Sequence, residues 1–160
     1  MEKIRFRWLY LAFPLLIFIA AVVTSAVFYG KLPLQTGYRF SHDVAVSEAS
    51  RGAVLGWGLG LQAFFTLVAT MLVLLIISAG KKMNLTQNSV IKTVLGIMGN
   101  MLGIPQIIIY YATLDIFLYN VNEKVLPETW IFGIAVLVVG GLIIVGILVK
   151  AYLESRLNKT

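Results

Sequence analysis

Four long apolar segments determine what this chain can fold into. They cover about residues 8–30, 53–79, 93–120 and 130–152, and each exceeds the roughly 20 residues that a helix needs to cross a bilayer core. Only helices and closed barrels satisfy every backbone polar group in lipid. The segments therefore predict an all-α fold, an integral membrane four-helix bundle, with residues 1–160 forming a single membrane domain.

The composition indicates that much of this chain is surrounded by lipid. It is 59% hydrophobic and only 12% charged, whereas soluble domains are about half apolar and about a quarter charged. The net charge of +6 is scattered at the ends of apolar segments instead of lying on one soluble face. We therefore expect the lipid bilayer as a partner and no nucleic acid.

Several kinds of chemistry are excluded by residue content. The chain has no cysteine and a single histidine, His42. Disulfides, thiolate metal sites and a zinc site built on a pair of histidines therefore cannot form within it. The scattered acids form no recognisable motif, so we expect no catalytic residue, no bound metal, no cofactor and no enzyme activity.

The distribution of basic residues predicts the orientation. Nine of the 13 lysines and arginines lie at the two ends of the chain and in the segment 80–92, and four lie in the loops 31–52 and 121–129. Because basic residues stay on the cytoplasmic side, both termini are predicted in the cytoplasm, with four spans between them. The two loops would then face the outside of a plasma membrane.

Glycines at helical spacing indicate where helices approach each other. Gly52, Gly56 and Gly60 are four residues apart in the second segment, and Gly99 and Gly103 repeat this spacing in the third. Small residues at intervals of four let two helix backbones come close in a membrane. We therefore predict that the two glycine faces pack against each other.

Four polar residues within the apolar segments have two interpretations. They are Gln62, Asn100, Gln106 and Asp115. They either form interhelical hydrogen bonds or line a polar path, the latter favoured near a kink at Pro105. Asp115 lies about five residues from the predicted helix end, so it is either a functional acid at membrane depth or one that reaches the headgroups.

The first outer loop carries a cluster of polar residues that forms a candidate outer surface: Arg39, His42, Asp43, Glu48 and Arg51. It is either a folded cap on the bundle or a binding surface for an extracellular peptide or another membrane subunit.

The same loop resembles a known family. The residues that carry the resemblance are Leu32-Pro33, Tyr38, Phe40, Asp43 and Ser50-Arg51, followed by a long apolar segment. In this order they are similar to the N-terminal multi-spanning domain of SdpI-type immunity proteins, a domain of unknown function. This resemblance, over roughly residues 8–75, implies a bacterial or archaeal membrane protein with a regulatory or immunity role, and no enzyme.

Two function classes follow from these observations. The first is a small non-catalytic membrane protein, either an SdpI-like immunity or regulatory factor or an accessory subunit of a larger membrane complex. The alternative is a small proton-coupled transporter or carrier that uses the polar face of the third helix. The absence of a visible inverted repeat weighs against a carrier.

Overall fold

The computed structural model describes residues 5–41, 44–83, 89–122 and 126–157. A 3-10 turn, Trp8–Leu11, leads into α1, Ala12–Tyr29. The elements that follow are β1 Gln35–Ser41, β2 Val44–Ser50, α2 Arg51–Lys82, α3 Ser89–Asn100, α4 Gly103–Asn120 and α5 Thr129–Leu157. Among the described residues, four helical stretches are long and apolar enough to cross a membrane: Trp8–Tyr29, Arg51–Lys82, Ile91–Asn120 and Thr129–Leu153. The protein is therefore mostly helical, in agreement with the predicted all-α class.

The third candidate span consists of two helices instead of one. α3 ends at Asn100 and α4 begins at Gly103. Pro105 lies in the first turn of α4 and has no N–H, so it cannot donate to the carbonyl of Met101 four residues earlier. That carbonyl accepts a bond from the Ile104 N–H instead, at 3.1 Å. The kink predicted at Pro105 is thus present as a break just before it.

The first loop is the one part of the described chain that forms β structure. β1 and β2 pair as an antiparallel hairpin, with Gln35 opposite Ser50 and Ser41 opposite Val44. The register shifts between Gly37 and Phe40. Ser50 then caps α2, because its Oγ accepts a hydrogen bond from the Ala53 N–H at 3.2 Å. The segment predicted as an outer loop, with a folded cap as one of its two interpretations, is therefore a hairpin that runs directly into α2.

The helices form a core of three spans with the fourth at its side. α1 packs against both α2 and α4, and α2 packs against α3 and α4. α5 packs against α4 and α3. Only 6% of the most apolar stretch of its span is buried, whereas 22–28% of the corresponding stretch is buried in each of the other three spans. The predicted four-helix bundle is thus an unequal arrangement in which α5 covers one side of α3 and α4.

Two apolar clusters fill the three-span core. One joins the start of the first span to α2 and α3, and it contains Tyr10, Leu11, Ala69, Val73, Ile77 and Leu95. The other lies beneath the hairpin and contains Leu32, Val54, Leu55 and Phe117. On α2, Gln62 lies between the residues of the two clusters, so the centre of the core is polar.

The glycine face predicted on α2 packs against none of the described residues. A Cβ added at Gly52, Gly56 or Gly60 would meet no atom within 4 Å. The prediction that this face contacts the third span is therefore wrong for the isolated chain. The inward side of α2 carries Gly58 instead, where a Cβ would lie 3.0 Å from Cγ2 of Thr113 in α4.

The two predicted glycines of the third span, Gly99 and Gly103, do pack closely, against different partners. A Cβ at Gly99 would overlap the main-chain oxygen of Tyr10 and lie 2.8 Å from Val73 Cγ2. A Cβ at Gly103 would overlap the ring of Phe13. These two glycines therefore allow the start of the first span, rather than the glycine face of α2, to approach the break between α3 and α4.

Candidate interhelical polar site

Two glutamines join α2 to α4 at the centre of the core. Gln62 Nε2 donates to the carbonyl oxygen of Gln106 at 2.9 Å, and Gln106 Nε2 donates back to the carbonyl oxygen of Gln62 at 3.0 Å. Gln106 Nε2 also donates to Thr66 Oγ1 at 2.9 Å. The side chains are 1% and 0% exposed, respectively. This reciprocal arrangement is an interhelical clasp of the kind that polar side chains form in membrane bundles.

Asn100 connects the end of α3 to the beginning of α1. Its Oδ1 accepts from the Phe13 N–H at 2.9 Å, and its Nδ2 donates to the carbonyl oxygens of Leu9, at 3.0 Å, and Gly96, at 2.9 Å. The Phe13 N–H lies in the first turn of α1, where backbone donors have no partner within the helix. The residue that precedes α1, Leu11, supplies no side-chain cap. Asn100 therefore caps α1 from another helix.

Asp115 connects α4 to the first residue of α5. Thr129 Oγ1 donates to Asp115 Oδ2 at 3.3 Å. One turn earlier, the hydroxyl of Tyr111 donates to the Pro127 carbonyl at 2.7 Å, and the Tyr111 ring stacks on Phe132 with 3.8 Å between centroids. A carboxylate at the N-terminus of α5 also interacts favourably with the helix dipole. Asp115 therefore binds the beginning of α5, and its place at the membrane interface stays a prediction.

The structure brings together only two of the four predicted polar residues. Gln62 and Gln106 are in contact, whereas Asn100 binds the start of the first span from the break between α3 and α4, and Asp115 binds the first residue of α5. Each forms hydrogen bonds to main-chain or hydroxyl groups of a neighbouring element. The arrangement therefore holds helices together and does not form a continuous line of polar groups.

The candidate outer-surface residues have different positions. Arg51 begins α2, where its Nη1 donates to the Tyr29 carbonyl at 3.3 Å and its guanidinium lies 4.5 Å from the Tyr29 ring centroid. It therefore helps to join α1 to α2. Arg39 and Glu48 lie on opposite strands of the hairpin with exposed side chains. His42 and Asp43 lie outside the described residues.

Asn120 is a structural anchor that the sequence pattern did not indicate. Its Oδ1 accepts from the Gly37 N–H at 2.9 Å, and its Nδ2 donates to the Gly37 carbonyl at 2.7 Å. The Phe40 and Tyr119 rings lie beside this pair of bonds, with centroids 3.8 Å apart. The end of α4 therefore binds β1 where its register is irregular. An asparagine at a helix end gives no sequence signal for a partner 83 residues away.

Within 5–41, 44–83, 89–122 and 126–157, no three side chains of His, Cys, Asp or Glu come together as potential ligands.

Comparison with known proteins gives no relative. No family model matches the chain, and neither the curated proteins nor the solved structures include a significant match. The similarity to the SdpI-type domain rests on the residues quoted above and stays a prediction.

Proposed function

We propose that this protein is a small, non-catalytic, multi-spanning protein of a prokaryotic plasma membrane that binds another membrane protein. It would act as an accessory subunit of a larger complex or as an SdpI-like regulatory factor. The observation that carries the proposal is the unpacked face in the first three turns of α2, the helix that follows the hairpin. This face presents Gly52, Gly56 and Gly60 with open space in front of each.

The surroundings of this glycine face suit a helical partner. Trp57 lies between the glycines in sequence and is 74% exposed, and Leu61 extends the exposed apolar surface by one turn. An adjoining apolar groove of about 530 Å³ runs between α2 and α4. It is lined by Tyr38, Ala49, Ala53, Val54, Trp57, Gly58, Leu61, Ile109, Ala112, Thr113 and Ile116. Glycines permit close backbone approach, and the groove supplies the remaining packing surface.

The transporter alternative has weaker support. A carrier requires polar groups that can release one partner and bind a substrate. Here the amides of Gln62, Gln106 and Asn100 donate to main-chain carbonyls of neighbouring helices. Opening a path through them would break the contacts that hold the three-span core together.

The substitution Gly56→Leu tests the proposal. It should lower the amount of a specific membrane protein that co-purifies in mild detergent by about fivefold or more, the consequence of roughly 1–3 kcal/mol of overpacking at an interface. A Cβ added at Gly56 would meet no described atom within 4 Å. The melting temperature of the variant should therefore stay within about 2 °C of that of the unmodified protein. Quantitative mass spectrometry of the eluate and a detergent melt provide both measurements.

Gly146→Leu is the matched control, because Gly146 also has no atom within 4 Å of an added Cβ but lies on α5. It should leave co-purification unchanged. Equal recovery from the Gly56→Leu and Gly146→Leu variants would refute the proposed interface. Loss of the partner with Arg39→Ala, and not with Gly56→Leu, would instead favour a binding surface on the hairpin, as an immunity role towards an extracellular peptide requires.

A further inference from the structure

The side-chain oxygen of Gln62 is a buried acceptor without a partner. Its residue is 1% exposed, and no described group donates to its Oε1. Rotating the amide by 180° would place this oxygen against the Gln106 carbonyl, which is also an acceptor, so the orientation is fixed by the clasp. Buried polar groups almost always have a hydrogen-bond partner, protein or water.

A small cavity lies beside this glutamine, where α1, α2 and α4 meet. Its volume is about 10 Å³, close to the minimum of roughly 10–15 Å³ that one water needs. Most of its polar lining consists of hydroxyl groups, from Thr24, Ser25, Tyr110 and Thr113, together with Gln62. The cavity therefore has the minimum size for one water, and five of its ten lining residues carry polar side chains that could bind it.

Counting the hydroxyl protons shows that a donor is also left over. Thr24 Oγ1 and Tyr110 Oη lie 2.9 Å apart and share one hydrogen bond, whichever of them donates. Two hydroxyl groups carry two protons, so one proton of this pair is available for a further acceptor. Thr113 Oγ1 already donates to the Ile109 carbonyl at 2.8 Å and can only accept in addition.

We propose that one water molecule is bound in this cavity as a structural ligand. It accepts the remaining proton of the Thr24–Tyr110 pair and donates one of its own protons to Gln62 Oε1. Its second proton is directed to the hydroxyl oxygens of Ser25 and Thr113. The water thereby joins α1, α2 and α4 at a depth where lipid supplies no hydrogen-bonding group.

The chain contains its own control for this proposal. Gln106 Oε1 is also buried and without a described partner, and its residue is 0% exposed. However, Gln106 does not line the cavity beside Gln62. Bound water should therefore contact the Gln62 amide and not the Gln106 amide. Gln35, whose side chain is exposed, provides the positive control for water contact.

Solid-state NMR of the whole protein in lipid bilayers tests the site. With ¹⁵N-labelled glutamine and a short mixing time, magnetisation from water should reach the Gln62 side-chain amide and that of Gln35, but not that of Gln106. The double variant Thr24→Val/Tyr110→Phe removes both hydroxyls that hold the water, so the transfer of magnetisation from water to the Gln62 amide should be lost. Thr70→Val removes a hydroxyl that donates to the Thr66 carbonyl of α2, outside the cavity, and should leave the signal intact.

Two results would overturn the proposal. A Gln62 amide that receives no magnetisation from water, while Gln35 does, would mean that the cavity is dry. Equal transfer to Gln62 and Gln106 would mean that water enters the clasp generally instead of occupying one site. The comparison of Gln35, Gln62 and Gln106 in the unmodified protein decides between these results even if the double variant does not fold.

Discussion

Asn100 shows how one amide can replace a helix cap inside an apolar bundle. Its three hydrogen bonds satisfy the Phe13 N–H and bind the Leu9 carbonyl, both at the start of the first span. Asn100→Ala should lower the free energy of unfolding by about 1–2 kcal/mol, since it removes interhelical bonds and leaves a backbone donor unpaired. Reversible unfolding in mixed micelles measures this change.

Met101→Ala is the control for that substitution. Met101 is the next residue and is 38% exposed. Its truncation should therefore lower the free energy of unfolding by much less than Asn100→Ala does. If both variants unfold with the same free energy as the unmodified protein, Asn100 does not hold the start of the first span. A polar path through this residue would then regain support.

The hairpin is an element that depends on α4 for its position. Two hydrogen bonds between Asn120 and Gly37, and the ring contact of Phe40 with Tyr119, hold it against the bundle. Asn120→Ala should release it, because a two-stranded hairpin alone is marginally stable in water. Hydrogen–deuterium exchange of the amides in β1 and β2 should become faster by at least about tenfold, corresponding to about 1.4 kcal/mol of lost protection.

The specificity of that effect can be checked within the same experiment. Val46→Ala shortens an exposed hairpin side chain and should leave exchange in both strands unchanged. The amides of α1 and α2 should remain protected in both variants, since these helices pack through the apolar clusters. Faster exchange throughout α2 in the Asn120→Ala variant would mean that the hairpin and the bundle unfold together.

At the level of the whole molecule, the positions of the helices could be predicted from the sequence, but not all of the contacts between them. Helix positions follow from local apolar length, so the predicted segment 130–152 corresponds to the observed α5, Thr129–Leu157. The polar residue Gln62 was expected to face other helices, and it does. The side of α2 that turns inward could not be predicted from the sequence. Gly56 and Gly58 are equally small, and they differ only in that Gly58 lies against Thr113, which is far away in the sequence.

The hairpin was missed for a related reason. The residues of 44–50 alternate weakly between apolar and polar, which is insufficient to predict a strand beside two membrane segments. Its docking depends on Asn120 and Gly37, a pair that no local pattern connects. The secondary position of α5 was also not visible in the sequence, because an almost purely apolar helix has the same composition whether it faces protein or lipid.

Orientation in the membrane is a property of the whole chain, and the excess of basic residues at the two ends and in the segment 80–92 predicts that both termini are cytoplasmic. Single cysteines test it without background, since the chain has none of its own. A cysteine at Val46, exposed on the hairpin, should react with a membrane-impermeant thiol reagent added to intact cells. A cysteine at Met83, exposed at the end of α2, should react only after lysis.

Because one helix, α2, separates the two positions, they must lie on opposite sides if it spans the bilayer. Labelling of Met83→Cys but not Val46→Cys in intact cells would invert the orientation, and labelling of both would show that α2 does not cross the membrane.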